Sequence, residues 1–379
     1  VARDGTGFFL HPTADFRGAV DARIRIKLDT AMLANKSFVL GNHLLEAFGI
    51  EMVYIPDGAF FVGDTDSLSI QASSFFKSDG KGRPGGLLEI KNENLALPIG
   101  KEKDAIFYRV TNKEYQGDQL GPVPAVYPKG YNGFYIMKYE LLQSQYTSFL
   151  NSLPQMATTA RSKIASKDYE KLRGAITLHG NVFISGSKNR PANFVSWDDG
   201  CAFADWAALR PMTDLEYIKA CRGPALPVPR DYPWGTNSKD KMKRYVDTDH
   251  ELKWADDLNE SQLNDGNRVE FGASYYWVMD LAGSLWERVI SIGAEKGRKF
   301  LGTHGDGNLS YGYATNSDWP SGDHNSEGYG FAGGGFYDHG LYTEFHVPHS
   351  PVSARNFGSW AGGYANQAYG QRFVRSADK

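Results

Sequence analysis

The chain has 379 residues, a formal net charge of −3 at pH 7, 41% hydrophobic residues and 13% aromatic residues. Both signs of charge are scattered along it, so the composition excludes the basic footprint of a nucleic-acid-binding protein. No apolar run approaches the roughly 18 residues of a membrane span, and membrane insertion is not expected. The only cysteines, Cys201 and Cys221, are too few for a disulfide scaffold and match no zinc pattern.

The N-terminal part of the chain predicts β structure. Residues 1–49 are interpreted as a β segment packed on the core, because the run ARIRIKL (22–28) alternates with the two-residue period of a half-buried strand. The next segment, EMVYIPDGAFFVGD (51–64), places two extended runs on either side of a Pro-Asp-Gly turn. This arrangement predicts a β-hairpin.

Helices are predicted in the middle of the chain only. A first helix over residues 137–153 has apolar residues at three- and four-residue spacing and ends before Pro154. Beyond residue 224 the helical signal almost disappears, and Gly, Asn, Asp, Tyr and Trp dominate. The predicted fold class is therefore α+β, loop-rich, with short strands and two main helices.

Two further helices carry clear signals at their ends. A helix over residues 196–211 has Ser196 as its N-cap. A helix over residues 213–223 begins at Thr213, with Glu216 at capping-box spacing.

Six segments, in chain order, resemble the formylglycine-generating enzymes, also called sulfatase-modifying factors. They are EMVYIPDGAFFVGD (51–64), GFYIMKYELLQSQYTSFLN (133–151), RPANFVSWDDGCAFADWAALRPMTDLEYIKACRG (190–223), YPWG (232–235), VMDLAGSLWERV (278–289) and GQRFVRSA (370–377). The long middle segment is the specific part, because a tryptophan-bearing helix followed by R-P-x-T-x-x-E-Y is rare by chance. The resemblance implies one domain over residues 50–379, with a C-type lectin-like fold of the formylglycine-generating-enzyme type.

The anchors of this resemblance are interpreted as scaffold. Large tryptophans can hold a loop-rich domain together, and Glu216 and Arg222 are expected to cap helix ends. The scaffold set is Trp197, Trp206, Glu216, Arg222, Trp286, Glu287 and Arg372.

The chain departs from the family where catalysis would occur. The resemblance implies two copper-binding cysteines just after a Gly-Gly-Ser-aromatic turn, which corresponds here to GGGF (333–336). Asp338 and Thr343 occupy the cysteine positions, and no cysteine follows Cys221. Because neither side chain replaces a soft thiolate ligand, we expect no catalytic residue and no formylglycine generation.

The sequence gives little indication of a binding site for any other metal. His346 and His349 are interpreted as solvated loop residues, because no clear third ligand accompanies them. The resemblance implies calcium held by a G-N-x-W-E-W stretch, but here the run is GSLWER, with Ser284 in place of the Asn. The main expectation is a chain without a cofactor, and calcium near Ser284 and Glu287 is the alternative.

The C-terminal segment, residues 330–379, is predicted to be a variable ligand-binding segment. Its aromatic and short polar residues resemble the mixture found in antibody paratopes. No lysine occurs between Lys299 and Lys379, and no methionine follows Met279. This pattern resembles the variable proteins of diversity-generating retroelements, which mutate adenines in a C-terminal segment. The candidate ligand-binding residues are Phe336, Tyr337, Asp338, His339, Leu341, Tyr342, Thr343, His346, Asn356, Phe357, Ser359, Tyr364 and Asn366.

The function predicted from the sequence is display of this diversified C-terminal surface to a protein or glycan ligand. The first alternative is a divergent metal-dependent oxidase of the same family, with Asp338 and His339 or His346 as metal ligands. The second is a structural module at a cell or virion surface. The chain starts at Val1, so a leader could lie upstream, and the compartment stays open between such a surface and the cytoplasm.

Overall fold

The computed structural model describes residues 48–66, 73–161, 173–246, 252–254, 262, 264, 266–322, 327–335 and 350–377. Within these ranges the chain combines short strands with a few short helices, as the predicted α+β class requires. The predicted β segment at residues 1–49 lies almost entirely outside the described residues. No described helix is long and apolar enough to cross a membrane.

The regular elements are short and alternate along the chain. The helices are α1 (Lys113–Gln116), α2 (Gln143–Ser152), α3 (Gln155–Arg161), α4 (Trp197–Trp206), α5 (Asp214–Arg222) and α6 (Glu295–Arg298). The strands are β1 (Met52–Ile55), β2 (Phe60–Val62), β3 (Phe76–Lys77), β4 (Leu88–Ile90), β5 (Ile106–Phe107), β6 (Phe134–Met137), β7 (Ile176–His179), β8 (Val182–Ser185), β9 (Arg210–Pro211), β10 (Arg244–Val246), β11 (Leu252–Trp254), β12 (Trp286–Ile290), β13 (Tyr329–Ala332), β14 (Tyr369–Gly370) and β15 (Phe373–Ser376).

Two sheets organise the domain. The larger has the strand order β1-β6-β15-β9 with antiparallel neighbours, so the C-terminal strand β15 lies in its interior. The smaller has the order β13-β12-β14, in which β12 pairs antiparallel with β13 and parallel with β14. Two-stranded pairs β2-β4, β3-β5, β7-β8 and β10-β11 complete the described strands.

The hairpin predicted over residues 51–64 is wrong. Strand β1 pairs with β6 and strand β2 pairs with β4, so the two runs belong to different sheets. Between them Gly58 adopts a φ of 138°, and its N–H donates to the Tyr131 carbonyl at 2.8 Å. The turn therefore separates the two strands, because each finds its pairing partner far away in the sequence.

The predicted helix over residues 137–153 begins too early. Residues 134–137 form β6, whose side chains bury themselves in the larger sheet, and α2 starts only at Gln143. The apolar residues whose spacing predicted one helix belong in part to strand β6 and in part to helix α2. Strand pairing on both sides of β6 overrides the local helical preference.

The two helices with capping signals begin where the sequence predicts. Ser196 accepts from the Asp199 N–H at the start of α4, and Thr213 accepts from the Glu216 N–H at the start of α5. Helix α4 ends earlier than predicted, at Trp206, because Ala208 has a φ of 57° and the chain then enters β9.

Helix α5 lies at the centre of the molecule. All of its residues, Asp214–Arg222, are buried, and it contacts β2 and β12. Its charged side chains have partners: Arg210 donates to both Glu216 oxygens at 2.9 and 2.6 Å, close to the helix start. The core around α5 joins the two sheets, and it includes Trp197, which stacks on Tyr329 with ring centroids 4.2 Å apart.

Candidate functional site

Four half-buried aromatic rings form a continuous surface, which we call the aromatic face: Tyr115, Phe357, Trp360 and Tyr364. The Tyr115 ring lies 5.7 Å from Phe357 and 5.8 Å from Trp360, measured between centroids. Trp360 in turn lies 6.1 Å from Tyr364. Each ring is partly accessible and partly held by its neighbours, as in protein surfaces that present aromatic anchors to a ligand.

The aromatic face rests on a small buried cluster of Trp286, Phe331, Ala368 and Tyr369. These residues come from the three strands of the smaller sheet or lie next to them, so the support is rigid backbone. Phe357 meets Trp286 edge-on at 5.5 Å, and its carbonyl accepts from the Phe331 N–H at 2.9 Å. The sheet therefore fixes where the rings of the aromatic face lie.

Arg288 stabilises this platform from within. Its guanidinium lies 5.5 Å from the Phe331 ring centroid and 5.4 Å from that of Tyr369, in cation–π geometry. It also donates to the carbonyls of Val195 at 2.6 Å and Tyr364 at 2.8 Å. One buried side chain thus ties the loop that carries Tyr364 to the platform.

Most of the predicted ligand-binding residues lie outside the described part of the chain. These are Phe336, Tyr337, Asp338, His339, Leu341, Tyr342, Thr343 and His346. Among the others, Phe357 and Tyr364 belong to the aromatic face, and Asn356 is half-buried beside Phe357. The Asn356 Oδ1 atom is buried and makes no hydrogen bond within the described ranges.

Ser359 and Asn366, two further candidate ligand-binding residues, are buried and do not belong to the aromatic face. Ser359 is 8% exposed, and its Oγ lies 2.8 Å from the Ser291 Oγ. Asn366 is 6% exposed, and its Oδ1 accepts from the Ala368 N–H at 2.9 Å. Both short polar side chains are hydrogen-bonded inside the protein, Ser359 to the residue after β12 and Asn366 within its own loop, which is the usual role of buried polar residues.

Tyr115 could not be found from the sequence. It lies in α1, far from the C-terminal segment, and no local motif marks it. Its carbonyl accepts from the Ser359 N–H at 2.8 Å, which fixes α1 against the loop that bears Phe357 and Trp360. Tyr115 is therefore part of the aromatic face through contacts with residues far away in the sequence.

The residues predicted as scaffold are largely buried and take part in packing or ion pairs. Trp197 donates from its Nε1 to the Pro320 carbonyl at 2.8 Å, while Trp206 is half-buried beside Phe203. Arg222 was expected to cap a helix end, and that expectation is wrong. Its guanidinium instead pairs with Asp231, at 2.9 and 2.5 Å, because the partner carboxylate is buried beside it.

The two cysteines do not fit a copper site at the catalytic turn. Cys201 lies in α4 and Cys221 in α5, and both are buried and outside any disulfide. Burial raises the pKa of the Cys221 thiol, which disfavours the thiolate that a soft metal needs. The chain has no other cysteine, so its residues cannot form the paired-thiolate ligand set.

The residues near Ser284 and Glu287 do not fit a calcium site either. The Glu287 Oε1 accepts from Arg372 at 2.7 Å, and both Asp280 oxygens accept from Arg244, at 2.5 and 2.7 Å. Arginines thus supply the positive charge that calcium would bring. Across the described residues, no group of three or more His, Cys, Asp or Glu side chains is arranged to hold a metal ion.

Glu140 and Glu287 form a buried acidic pair. The second oxygens of both carboxyls are buried and make no hydrogen bond to any described residue. Burial, followed by the neighbouring Glu287 charge, raises the pKa of Glu140 to about 8, although Arg372 opposes the shift. The Glu140 Oε1 accepts from the Leu285 N–H at 2.8 Å, immediately before β12. At neutral pH this carboxyl is therefore mostly protonated.

We expect the protein to lose stability as pH rises from about 4.5 to about 8. The folded state binds the Glu140 proton more tightly than the unfolded state, whose pKa is near the ordinary 4.5. The stabilisation is therefore complete at pH 4.5 and is lost through pH 8. Urea unfolding at several pH values checks this, with Glu140→Gln as the comparison. The Gln variant should show a flatter profile over this window, and equal slopes would contradict the assignment.

Comparisons with known proteins agree with the family resemblance in the sequence. The chain is 24% identical over 181 residues to the formylglycine-generating enzyme of Mus musculus, which covers 41% of this chain and 48% of that protein. It is 30% identical over 105 residues to the formylglycine-generating enzyme of Thermomonospora curvata, which covers 27% of this chain and 34% of that protein. The matches thus span less than half the length of these relatives.

A solved structure, that of PvdO from Pseudomonas aeruginosa, aligns with 14% sequence identity and a TM-score of 0.35, over 86% of this chain and 95% of that one. The family model described as "Sulfatase-modifying factor enzyme 1-like domain" matches residues 84–377. All of the resembling segments from residue 133 onward lie inside that range. Because the match covers well over half of the chain, this protein belongs to the sulfatase-modifying factor enzyme 1-like family.

Proposed function

We propose that this chain is a ligand-binding member of the family, which presents its C-terminal segment to a protein or glycan ligand. The observation that carries the proposal is the aromatic face, in which four half-buried rings stand on a buried platform. Rings that are already ordered before binding lose little conformational entropy, so they are effective contact residues. The C-type lectin-like form of the α+β fold is part of the same proposal.

The absence of a cysteine pair supports binding in place of the family's chemistry. Formylglycine generation in the family depends on two thiolates, whereas both cysteines of this chain lie inside central helices. The turn that would precede those thiolates includes Gly333–Gly335, which directly follows β13 of the platform sheet. This turn therefore lies against Trp286 and Ala368, which belong to the platform of the aromatic face.

Diversification of the C-terminal segment belongs to this proposal as well. Phe357 and Tyr364, two of the candidate ligand-binding residues, are half-buried on the aromatic face, so changes at these positions would alter the contact surface. Ser359 is buried, so we expect it to stay constant. A reverse transcriptase gene beside this one, with a near-copy of the 3′ coding region that differs at adenines, is the genomic observation that tests this part.

We expect Trp360→Ala to weaken binding by at least about tenfold, because truncating a central aromatic anchor costs on the order of 2 kcal/mol. The protein would be screened on a glycan array and against cell-surface proteins, and each ligand recovered would be measured again by calorimetry. Tyr364→Ala and Tyr115→Ala should weaken binding as well. Trp206→Ala is the matched control, because Trp206 is also half-buried but packs on Phe149 and Phe203.

Two outcomes would contradict the proposal. If the three variants of the aromatic face bound every recovered ligand as tightly as the wild type, the contact surface would lie elsewhere. If the purified protein converted the cysteine of a sulfatase-derived peptide to formylglycine, the binding function would be replaced by catalysis. Mass spectrometry of the peptide detects that conversion.

A further inference from the structure

A second candidate site lies away from the aromatic face. A cavity of about 230 Å³ opens beside the larger sheet, between the ends of β6, β9 and β15 and the loop at Leu301. No residue of the aromatic face lines it. Its volume is below the roughly 300 Å³ at which pockets for drug-sized ligands begin, so it suits a small molecule of one ring.

The floor of the cavity is formed by the ion pair between Arg210 and Glu216. Arg210 donates to both oxygens of Glu216, and it also donates to the Ser376 Oγ from Nε at 3.3 Å and from Nη2 at 3.1 Å. Because the Ser376 oxygen accepts both of these bonds, its own proton is directed away from Arg210. The cavity floor therefore offers a hydroxyl donor and no uncommitted cation.

One wall of the cavity carries the Glu93 carboxylate, which is hydrogen-bonded to the backbone. The Glu93 oxygens accept from the backbone N–H groups of Lys129 at 2.6 Å and Asn132 at 2.9 Å. The Lys129 ammonium is buried behind this wall and donates to the Glu93 carbonyl at 2.7 Å. The Glu93 carboxylate and the Lys129 ammonium are thus both occupied by hydrogen bonds within the chain, so neither is available as the counter-ion of a charged ligand.

Two side-chain amides at the cavity, Asn94 and Asn132, make no side-chain hydrogen bond within the described part of the chain. Each offers two N–H donors and a carbonyl acceptor. The rim adds apolar surface, since Val126 is 63% exposed and Leu301 is 54% exposed. The cavity therefore presents amide donors and acceptors together with apolar groups.

We propose that this cavity binds a small neutral polyhydroxylated molecule, such as a single sugar ring. Each hydroxyl of such a ligand is both donor and acceptor, which matches the two side-chain amides, the hydrogen-bonded Glu93 carboxylate and the Ser376 hydroxyl. The C–H groups of the ring can cover Val126 and Leu301, which stand exposed at the rim. This site does not depend on the aromatic face, so the failure of either proposal leaves the other intact.

The test is titration of the wild-type protein with glucose, galactose, mannose and N-acetylglucosamine, and with their methyl glycosides. Saturation-transfer NMR detects binding, and calorimetry gives the affinity. We expect at least one of these sugars to bind. Equal binding of the methyl glycoside identifies the terminal unit of a glycan as the ligand, whereas binding of the free sugar alone identifies a free sugar.

Asn132→Ala and Asn94→Ala should each weaken sugar binding about fivefold, the value of one neutral hydrogen bond. Asn94 is exposed, so its variant keeps the fold. The matched control is Asn189→Ala, because Asn189 is also exposed but does not line the cavity. Absence of binding by all of the sugars, or unchanged binding in both cavity variants, would overturn the proposal. Tighter binding of inorganic phosphate than of any sugar would overturn it too.

Discussion

Replacing Arg372 by Met is expected to lower the free energy of unfolding by about 3–5 kcal/mol, the cost of leaving a buried charge unpaired. Arg372 and Glu287 are both fully buried, and the Arg372 Nε lies 2.7 Å from the Glu287 Oε1. The same guanidinium donates to the carbonyls of Met137, Lys138 and Met279 at 2.7–2.9 Å. The substitution therefore leaves the buried Glu287 carboxylate without its ion-pair partner and removes hydrogen bonds to three carbonyls.

Guanidinium chloride unfolding at pH 7 measures this loss. The control is Lys299→Met, because the Lys299–Glu295 pair is exposed and spans one helical turn, so its removal should cost at most about 0.5 kcal/mol. The double variant Arg372→Met with Glu287→Met should be more stable than Arg372→Met alone, since it leaves no unpaired charge. A loss of under about 1 kcal/mol for Arg372→Met would contradict the assigned role.

Gly330→Ala is expected to cost about 3 kcal/mol and to disturb the aromatic face, because β13 passes directly against the backbone at residues 358–359. A Cβ at residue 330 would lie 2.8 Å from the Ser359 N–H nitrogen, and closer still to the Gly358 carbonyl. These are backbone atoms, which cannot move aside as a side chain does. The loop that carries Phe357 and Trp360 would have to shift.

Thermal unfolding and near-ultraviolet circular dichroism measure the two effects of Gly330→Ala separately. The matched control is Gly49→Ala, where an added Cβ meets no atom within 4 Å. Gly49→Ala should therefore be nearly neutral in both measurements. If Gly330→Ala were equally neutral, β13 and the loop would not be as closely packed as the structure shows, and the aromatic face would not depend on that contact.

The features that could be predicted from the sequence are mainly those that depend on neighbouring residues. The starts of α4 and α5 follow from Ser196 and Thr213, because an N-cap needs only a side chain and an N–H three residues later. The hairpin over residues 51–64 failed for the opposite reason. Strand pairing depends on residues far away in the sequence. Strand β1 pairs with β6 and strand β2 pairs with β4, so the two strands do not pair with each other.

The candidate site shows the same division. The mixture of aromatic and short polar residues in the C-terminal segment predicted Phe357 and Tyr364 as ligand-binding residues, and both are half-buried in the structure. It also pointed to Ser359 and Asn366, which are buried and hydrogen-bonded. Composition reports which residues a segment contains, whereas their accessibility depends on the elements that cover it.

By itself the sequence determined the family, the balance of charge and the lack of a thiolate pair, because these depend only on which residues are present and in what order. The tertiary structure decided which rings form the aromatic face and that Tyr115 joins them. It also showed that arginines neutralise the acidic residues where calcium was considered. Those properties arise from contacts between residues far apart in the chain, and burial and pairing at such contacts follow from the packing of the whole domain.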